Sequence, residues 1–291
     1  MAIDVHKLKH WPFVPVEQHY TERDTMLYAL ALGVGHDPLD RDALRFVYED
    51  GLQALPTMAV VLGYPGFWAK DPASGIDWVR LLHGEQSLRL LAPLPAAGTV
   101  VGHTRVSAIV DKGADKGALM RSERDIVEAA SGRLLAVASS VSFLRGDGGF
   151  AARGQPSDDA PPPRAPTPEG PPDHVCELPT RPDAALLYRL SGDYNPVHAD
   201  PAVARAAGFE RPILHGLCSF GVSGVALLKT LCGWNPARLQ QIGCRFSAPV
   251  YPGETLRVEM WQRGAQVQFR TRVLERDRVV LSHGSATIVP A

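Results

Sequence analysis

The sequence has few cysteines and no long apolar run. The first argues against a disulfide-rich protein and the second against a membrane-spanning one. No CxxC pair occurs, and the four cysteines are too few and too widely spaced for a disulfide scaffold: Cys176, Cys218, Cys232 and Cys244. We expect them to be reduced and to serve as small core residues. The longest apolar runs, around residues 29–35 and 59–63, are far shorter than the roughly 20 residues that a membrane helix needs. We therefore expect no membrane partner.

An excess of charge of either sign is also missing. The 291 residues include 30 Lys and Arg against 31 Asp and Glu, a formal net charge of −1. Proteins that bind nucleic acid normally carry a basic excess, so we expect no nucleic-acid partner. The first residues lack the continuous apolar stretch of a secretory signal, and the last residues form no receptor-read peroxisomal address. These features predict a cytoplasmic protein.

A proline-rich segment without large apolar residues divides the chain. Residues 151–174 contain eight prolines and no Val, Ile, Leu, Met, Phe, Trp, Tyr or Cys. Such a segment cannot bury a core, which is typical of a semi-extended linker. The sequence therefore predicts an N-terminal domain over residues 1–150, a linker over 151–174 and a C-terminal domain over 175–291.

The two halves resemble each other in two places. Residues 26–30 (MLYAL) parallel 186–190 (LLYRL), and an Ala-Pro pair followed by Gly98 parallels one followed by Gly253. The offsets of these matches nearly agree, which favours duplicated domains. In each half a capped helix precedes a longer apolar helix and a series of strands, an α+β pattern in which an antiparallel sheet wraps a helix.

The expected elements follow from caps and from hydrophobic periodicity. Thr21, and Thr180 with Pro182 just inside, mark helix starts. The longer apolar helices are expected over residues 56–62 and 216–229. Alternating and β-branched segments predict strands over residues 99–110, 118–124, 134–144, 256–260, 267–273 and 279–288.

Polar residues with catalytic potential are concentrated in a loop of the second half. Asp193, Asn195 and His198 lie within six residues, where Gly192 and Pro196 prevent a continuous helix. Such a loop can aim an acid, an amide and an imidazole at one point, although SGDxNP is also typical of a surface turn.

The comparison of the two halves favours the catalytic interpretation. With Tyr28 aligned on Tyr188, the first half has no acid, amide or imidazole at the matching positions, which are Gly33, Gly35 and Pro38. We therefore predict that only the second copy carries out chemistry.

Gly216 begins the apolar helix that follows this loop. A helix N-terminus presents unpaired backbone N–H groups and partial positive charge, which stabilise an oxygen that becomes negative during reaction. Close helix packing is the alternative explanation of this glycine.

Three other groups of residues are candidates for a metal, phosphate or catalytic site. His198, Asp200 and His215 form a conceivable metal set, which we do not expect because His198 has a better use in the loop. Residues 112–117 lack the spacing of a phosphate loop and predict a hairpin turn. Residues 83–86 (HGEQ) are expected to be structural and to precede a strand.

The sequence GDYNPVHADPAVA, followed by GFERPILHG, resembles the hydratase 2 motif of the (R)-specific enoyl-CoA hydratases, a MaoC-like group of the hot-dog fold. Residues 20–33, 81–98 and 245–261 are similar to the two-domain hydratase of peroxisomal multifunctional enzyme type 2. The resemblance implies two tandem hot-dog domains that form a pseudo-dimer, and an N-terminal domain that binds the acyl chain. It places the catalytic pair on Asp193 and His198, Asn195 in support, and the oxyanion amide on Gly216.

The implied activity is the reversible hydration of trans-2-enoyl-CoA to (R)-3-hydroxyacyl-CoA, with long or bulky acyl groups and without a metal or redox cofactor. A homodimer is the expected assembly. Three alternatives remain open: a dehydratase that acts on acyl-carrier-protein thioesters, a hot-dog thioesterase, and a non-catalytic acyl-CoA binder. A thioesterase usually carries its acid on the long helix, whereas the acid here precedes that helix.

Overall fold

Antiparallel strands dominate the structure, a computed structural model that describes residues 3–290. Ten strands lie in this part of the chain: β1 (Val16–Tyr20), β2 (Leu81–Leu90), β3 (Gly98–Asp111), β4 (Ala118–Glu128), β5 (Leu134–Leu144), β6 (His174–Pro179), β7 (Leu239–Phe246), β8 (Thr255–Arg263), β9 (Gln266–Val273) and β10 (Arg278–Ile288). The α-helices there are α1 (Val5–Lys9), α2 (Glu22–Ala31), α3 (Arg41–Leu44), α4 (Ala184–Tyr188), α5 (Pro201–Ala206) and α6 (Gly216–Leu231).

The strands form one sheet with internal symmetry. Their order is β1-β3-β4-β5-β2-β7-β10-β9-β8-β6, so each strand of the first half has its counterpart five strands later, in mirrored position. The halves join where β2 pairs with β7, with Ser87 opposite Gly243. The two repeated tyrosines also meet, because the rings of Tyr28 and Tyr188 lie 5.9 Å apart between α2 and α4. This arrangement confirms the predicted α+β class.

The predicted long helix of the first half is absent. α6 spans 16 residues against the C-terminal half of the sheet, whereas residues 56–62 form only a 3-10 helix, Pro56–Val60. Gly63, with a positive φ of 59°, follows at once and lies against Gly102 of β3, where a Cβ on Gly63 would be 2.7 Å from the Gly102 Cα. Because Gly63, Pro65 and Gly66 follow so closely, the helix cannot continue.

The six predicted strands are all present, but β1, β2, β6 and β7 were not predicted. β2 and β7 carry polar residues on the face away from the helices and a glycine each, so their sequences lack clean alternation. The sequence HGEQ lies inside β2 and not before a strand, with a register shift at Gly84. Thr21 caps α2 as predicted. α4, however, begins after Asp183, because the Thr180 hydroxyl donates to the Glu254 carbonyl oxygen at 2.8 Å.

The proline-rich segment has little regular structure but is held against the sheet. Asp158 accepts from the Ile109 amide at 2.7 Å, Arg164 forms an ion pair with Glu85 at 2.7 Å, and the Trp261 indole donates to the Pro171 carbonyl oxygen at 3.0 Å. These anchors lie on strands of both halves, so the segment crosses the sheet. The domain boundaries at residues 150 and 175 remain a prediction.

The structure also shows the turn predicted at residues 112–117 and the environment of the four cysteines. The turn at residues 112–117 joins β3 to β4 and is closed by a 3.0 Å hydrogen bond from the Lys112 amide to the Gly117 carbonyl oxygen. The four cysteines are free; Cys218, Cys232 and Cys244 are buried, and Cys176 is half-buried. Within residues 3–290, no helix combines the length and the apolar character needed to cross a membrane.

Candidate active site

Two short turns shape the loop that carries Asp193, Asn195 and His198. Gly192 ends a 3-10 helix with a φ of 115°, a conformation that favours glycine. The Asn195 side chain then caps a second 3-10 helix, Pro196–His198, by accepting from the Val197 amide at 3.2 Å. Asp193 Oδ1 accepts from the Asn195 amide at 3.1 Å. The loop is therefore a turn that also fixes the position of the Asp193 carboxylate. Asn195 supports it by capping the second 3-10 helix.

His198 is buried, and one hydrogen bond sets its tautomer. Its Nδ1 lies 2.8 Å from the Ile213 carbonyl oxygen, which can only accept, so Nδ1 carries the proton and Nε2 has a free lone pair. Burial lowers the pKa of His198, and the charge of Asp193 opposes that shift in part. The side chain is a neutral imidazole with an available base at neutral pH.

His215 stacks on His198 and links the loop to α6. The two ring centroids lie 3.7 Å apart, and His215 Nε2 donates to the Asp193 carbonyl oxygen at 3.1 Å. Burial and the neighbouring His198 lower the pKa of His215 to about 4. Its Nδ1 is buried without a partner. The sequence analysis considered His215 only as a metal ligand. Its position directly before Gly216 was the signal that could have placed it in the site.

The donor atoms of Asp193, His198 and His215 all lie within 4.8 Å of one another. Asp200 is not among them, because its carboxylate caps α5 by accepting from the Ala202 amide at 2.7 Å. A metal would need imidazole lone pairs that converge on one point, and these lone pairs lie in the ring planes. The two stacked rings are inclined by only 27°, so their lone pairs run side by side. The arrangement suits proton transfer better than metal binding.

Gly216 is exposed at the first position of α6. His215 precedes it without a side-chain cap, so the first amides of the helix remain available to a ligand. A Cβ on Gly216 would lie 3.1 Å from the Phe246 ring. Both interpretations of this glycine therefore hold: it permits close packing, and it leaves an open N–H at the positive end of a 16-residue helix.

Two residues of the first half face the same site. The charge of Asp193 acts on the pKa values of both His83 and Tyr64, and the His83 ring packs edge-on against Phe246 at 4.9 Å. Both side chains keep accessible surface, yet desolvation lowers the pKa of His83 and raises that of Tyr64. Both residues therefore lie near Asp193. No pattern in the sequence singled out Tyr64.

Comparison with known proteins places this geometry in a family. A MaoC-like domain model matches residues 164–283, and a model of the N-terminal domain of multifunctional enzyme type 2 hydratase 2 matches residues 18–146. The chain is 41% identical over 282 residues to the peroxisomal enoyl-CoA hydratase 2 of Arabidopsis thaliana, covering 90% of this chain and 88% of the relative. The chain belongs to the enoyl-CoA hydratase 2 family. It is thus a hydro-lyase with a MaoC-like domain.

Solved structures agree with this placement of the hydratase 2 chain. A MaoC-like dehydratase from Phytophthora capsici is 36% identical, with a TM-score of 0.87 over 99% of this chain and 100% of that one. The multifunctional enzyme type 2 of Drosophila melanogaster is 35% identical, with a TM-score of 0.80 over 97% of this chain and 50% of that longer chain. A Mycobacterium tuberculosis protein described as a double hotdog fold, 16% identical with a TM-score of 0.59, supports the fold alone. The predicted pair of hot-dog domains is confirmed.

Acid is expected to destabilise this hydratase 2 chain through His215. Its pKa is about 4 when folded against an ordinary value of 6.5, so the unfolded chain binds the proton more readily. The stabilisation is complete above pH 6.5 and is lost as the pH falls towards 4, a change of about 3 kcal/mol. Chemical denaturation across this range measures it. His215→Phe should make the slope shallower and His103→Phe, on exposed β3 surface, should not; equal slopes would contradict the assignment.

Proposed function

We propose that this hydratase 2 chain adds water reversibly to trans-2-enoyl-CoA and forms (R)-3-hydroxyacyl-CoA. The observation that carries the proposal is the neutral His198, which has a ring nitrogen within 4.8 Å of an Asp193 carboxylate oxygen and stacks on His215 at the open N-terminus of α6. Addition of water is redox-neutral, so the proposed reaction needs no redox cofactor, and we propose that Asp193, His198 and the Gly216 amide act without a metal.

The Gly216 amide is proposed to bind the thioester oxygen. Negative charge develops on this oxygen when the nucleophile adds at C3, and a donor fixed at a helix N-terminus stabilises it more in the transition state than in the ground state. The hydrogen bond between His215 and the Asp193 carbonyl oxygen, 3.1 Å long, holds the catalytic loop against this helix end. A substrate whose thioester oxygen binds at the Gly216 amide would thereby have its C2 and C3 atoms near Asp193.

Asp193 and His198 are proposed to hold the water and move the protons. The water oxygen bonds to C3, one proton of the water passes to this pair, and the pair gives up one proton while C2 gains one, so that the pair ends in its starting protonation state and the net change is the addition of one water. The sequence of these transfers resembles general acid–base catalysis by paired groups. Asn195 keeps the Asp193 carboxylate in place by capping the next turn.

Long or bulky acyl groups are the proposed substrates. The first half of the sheet lacks the long helix that α6 provides in the second half, which leaves its inner face less covered. His83 and Tyr64 line this side of the site, so the acyl chain can extend from Asp193 towards the first half. A homodimer and a cytoplasmic location remain predictions, and the Arabidopsis relative is named as peroxisomal.

Loss of the enoyl-thioester ultraviolet absorbance tests the activity, and dehydrogenases specific for each 3-hydroxyacyl-CoA enantiomer test the configuration. We expect hydration, an (R) product and higher kcat/KM for long, branched or sterol-type chains than for short ones. An (S) product or a preference for short chains would contradict the finer proposal. Faster turnover of acyl-carrier-protein thioesters than of CoA thioesters would instead favour a dehydratase of carrier-bound substrates.

A further inference from the structure

The inner face of the first half of the sheet carries a polar patch, which we define as Thr104, Ser122, Arg124 and Ser140. Thr104 lies opposite Arg124 across β3 and β4, and Ser122 lies opposite Ser140 across β4 and β5. Ile126, two residues beyond Arg124 on β4, belongs to the main hydrophobic core, so this face is the inner one. The serines keep partial exposure in the middle of a ten-stranded sheet, which indicates open space above them.

The corresponding face of the second half is largely apolar and is covered, and its buried Thr271 hydroxyl is paired with the Ser223 hydroxyl of α6 at 2.8 Å. Val258, Phe269 and Ala286 are buried there beneath α6. In the first half, where the long helix is missing, the polar patch has no such helix to pair with. Apart from the contact of Arg124 with Val60, the patch is left available to a ligand.

Arg124 is buried without a counter-ion. It is 8% exposed, its Nη2 donates to the Val60 carbonyl oxygen at 2.6 Å, and its Nε is buried without a partner. Within residues 3–290, no carboxylate forms an ion pair with it. The Thr104 hydroxyl opposite is also buried without a partner. Two unsatisfied groups therefore face each other on the patch.

The charge on Arg124 persists despite this burial. Desolvation lowers its pKa to about 10, so the guanidinium stays protonated at neutral pH. A buried cation without a counter-ion is costly to desolvate, and an apolar side chain of similar size is often the more stable choice. Stability alone thus gives no reason for an arginine here.

Tyr64 connects the patch with the reacting end of the site. The Arg124 guanidinium lies over the Tyr64 ring, 5.4 Å from its centroid, and the charge of Asp193 raises the pKa of the same Tyr64. One aromatic ring thus connects the proposed catalytic carboxylate with the buried cation. An acyl chain that leaves Asp193 towards the first half passes this ring.

We propose that Arg124 and Thr104 bind a carboxylate at the distal end of the acyl chain, so that ω-carboxyacyl thioesters of CoA are preferred substrates. The planar guanidinium matches a carboxylate with two parallel hydrogen bonds, and the free hydroxyl supplies a further donor. This inference rests on the proposed hydration of enoyl-CoA, which it narrows to a class of acyl group.

Pairs of trans-2-enoyl-CoA substrates of equal length, with a terminal methyl or a terminal carboxylate, test the proposal over a series of lengths. For the matching length we expect KM to be roughly 10- to 100-fold lower for the carboxylate in the unmodified protein. Arg124→Met should remove this preference and leave kcat on the methyl-terminated substrate unchanged. Arg124→Lys should keep part of the preference because it keeps the charge.

The control is Arg121→Met, a change on the same strand at an exposed side chain that pairs with Glu123. It should keep the full preference, and thermal melting should show both variants folded. Equal KM values for the two termini at every length would overturn the proposal, as would an equally strong preference for a terminal hydroxyl. If even the methyl-terminated substrates are not hydrated, the proposed function itself fails.

Discussion

Replacing Asp193 by asparagine, or His198 by asparagine, is expected to lower kcat for enoyl-CoA hydration by roughly 10²- to 10⁴-fold each. Both substitutions keep the local geometry. The amide oxygen at position 193 can still accept from the Asn195 amide, and an amide nitrogen at position 198 can still donate to the Ile213 carbonyl oxygen. What is lost is the carboxylate charge in one variant and the free Nε2 in the other.

Steady-state kinetics on a long-chain enoyl-CoA measure this loss, with thermal melting to confirm that the variants fold. Asp183→Asn is the matched control, because Asp183 is an exposed carboxylate nearby in sequence that pairs with Arg181. It should retain activity. Near-normal turnover by both site variants at unchanged melting temperature would exclude Asp193 and His198 as the proton-transfer pair.

Gly216→Pro is expected to lower kcat by roughly 10²- to 10³-fold, since it removes the proposed oxyanion donor. Proline suits the first position of a helix, where its missing N–H breaks no intrahelical bond. His215 already has an extended conformation, φ −57° and ψ 135°, which a following proline requires. The variant can therefore delete the amide without disrupting α6.

Gly216→Ala separates the loss of the N–H from steric crowding. Alanine and proline both place a Cβ about where it meets the Phe246 ring at 3.1 Å, but alanine keeps the amide. We expect kcat of the alanine variant to exceed that of the proline variant by most of the predicted factor. Equal kcat values would show that only packing explains the glycine and that the oxyanion is bound elsewhere.

Strand composition predicted six of the ten strands in residues 3–290, and covered outer faces hid β2 and β7, whereas β1 and β6 are short strands at the edges of the sheet. β5 and β10 are rich in apolar and β-branched residues, and their predicted bounds are close to those observed. β2 and β7 lie in the middle of the sheet, where the proline-rich segment and an ion pair of Arg245 with Glu85 cover the outer face. A polar outer face with such partners does not produce the alternation that marks a half-exposed strand.

Part of the candidate site could be predicted from the sequence, and part could not. Asp193, Asn195, His198 and Gly216 occur within one stretch of chain, so their proximity could be inferred from spacing and turn residues. His83 and Tyr64 come from the first half and face Asp193 only because the two halves share one sheet. The sequence HGEQ drew attention to His83 but was expected to be structural, and no local pattern distinguishes Tyr64 from an ordinary loop position.

The sequence by itself determined the duplication, the α+β class and the loop that holds the proposed catalytic pair. The duplication follows from similarity between the two halves, and the class and the loop follow from patterns among residues near one another in the chain. Only the tertiary structure decided that the first copy lacks its long helix, that His215 stacks on His198, and that Arg124 is buried without a counter-ion. These features depend on which strands become neighbours. Burial and the nearest charges then set the protonation of each group, and neither can be deduced from spacing along the chain.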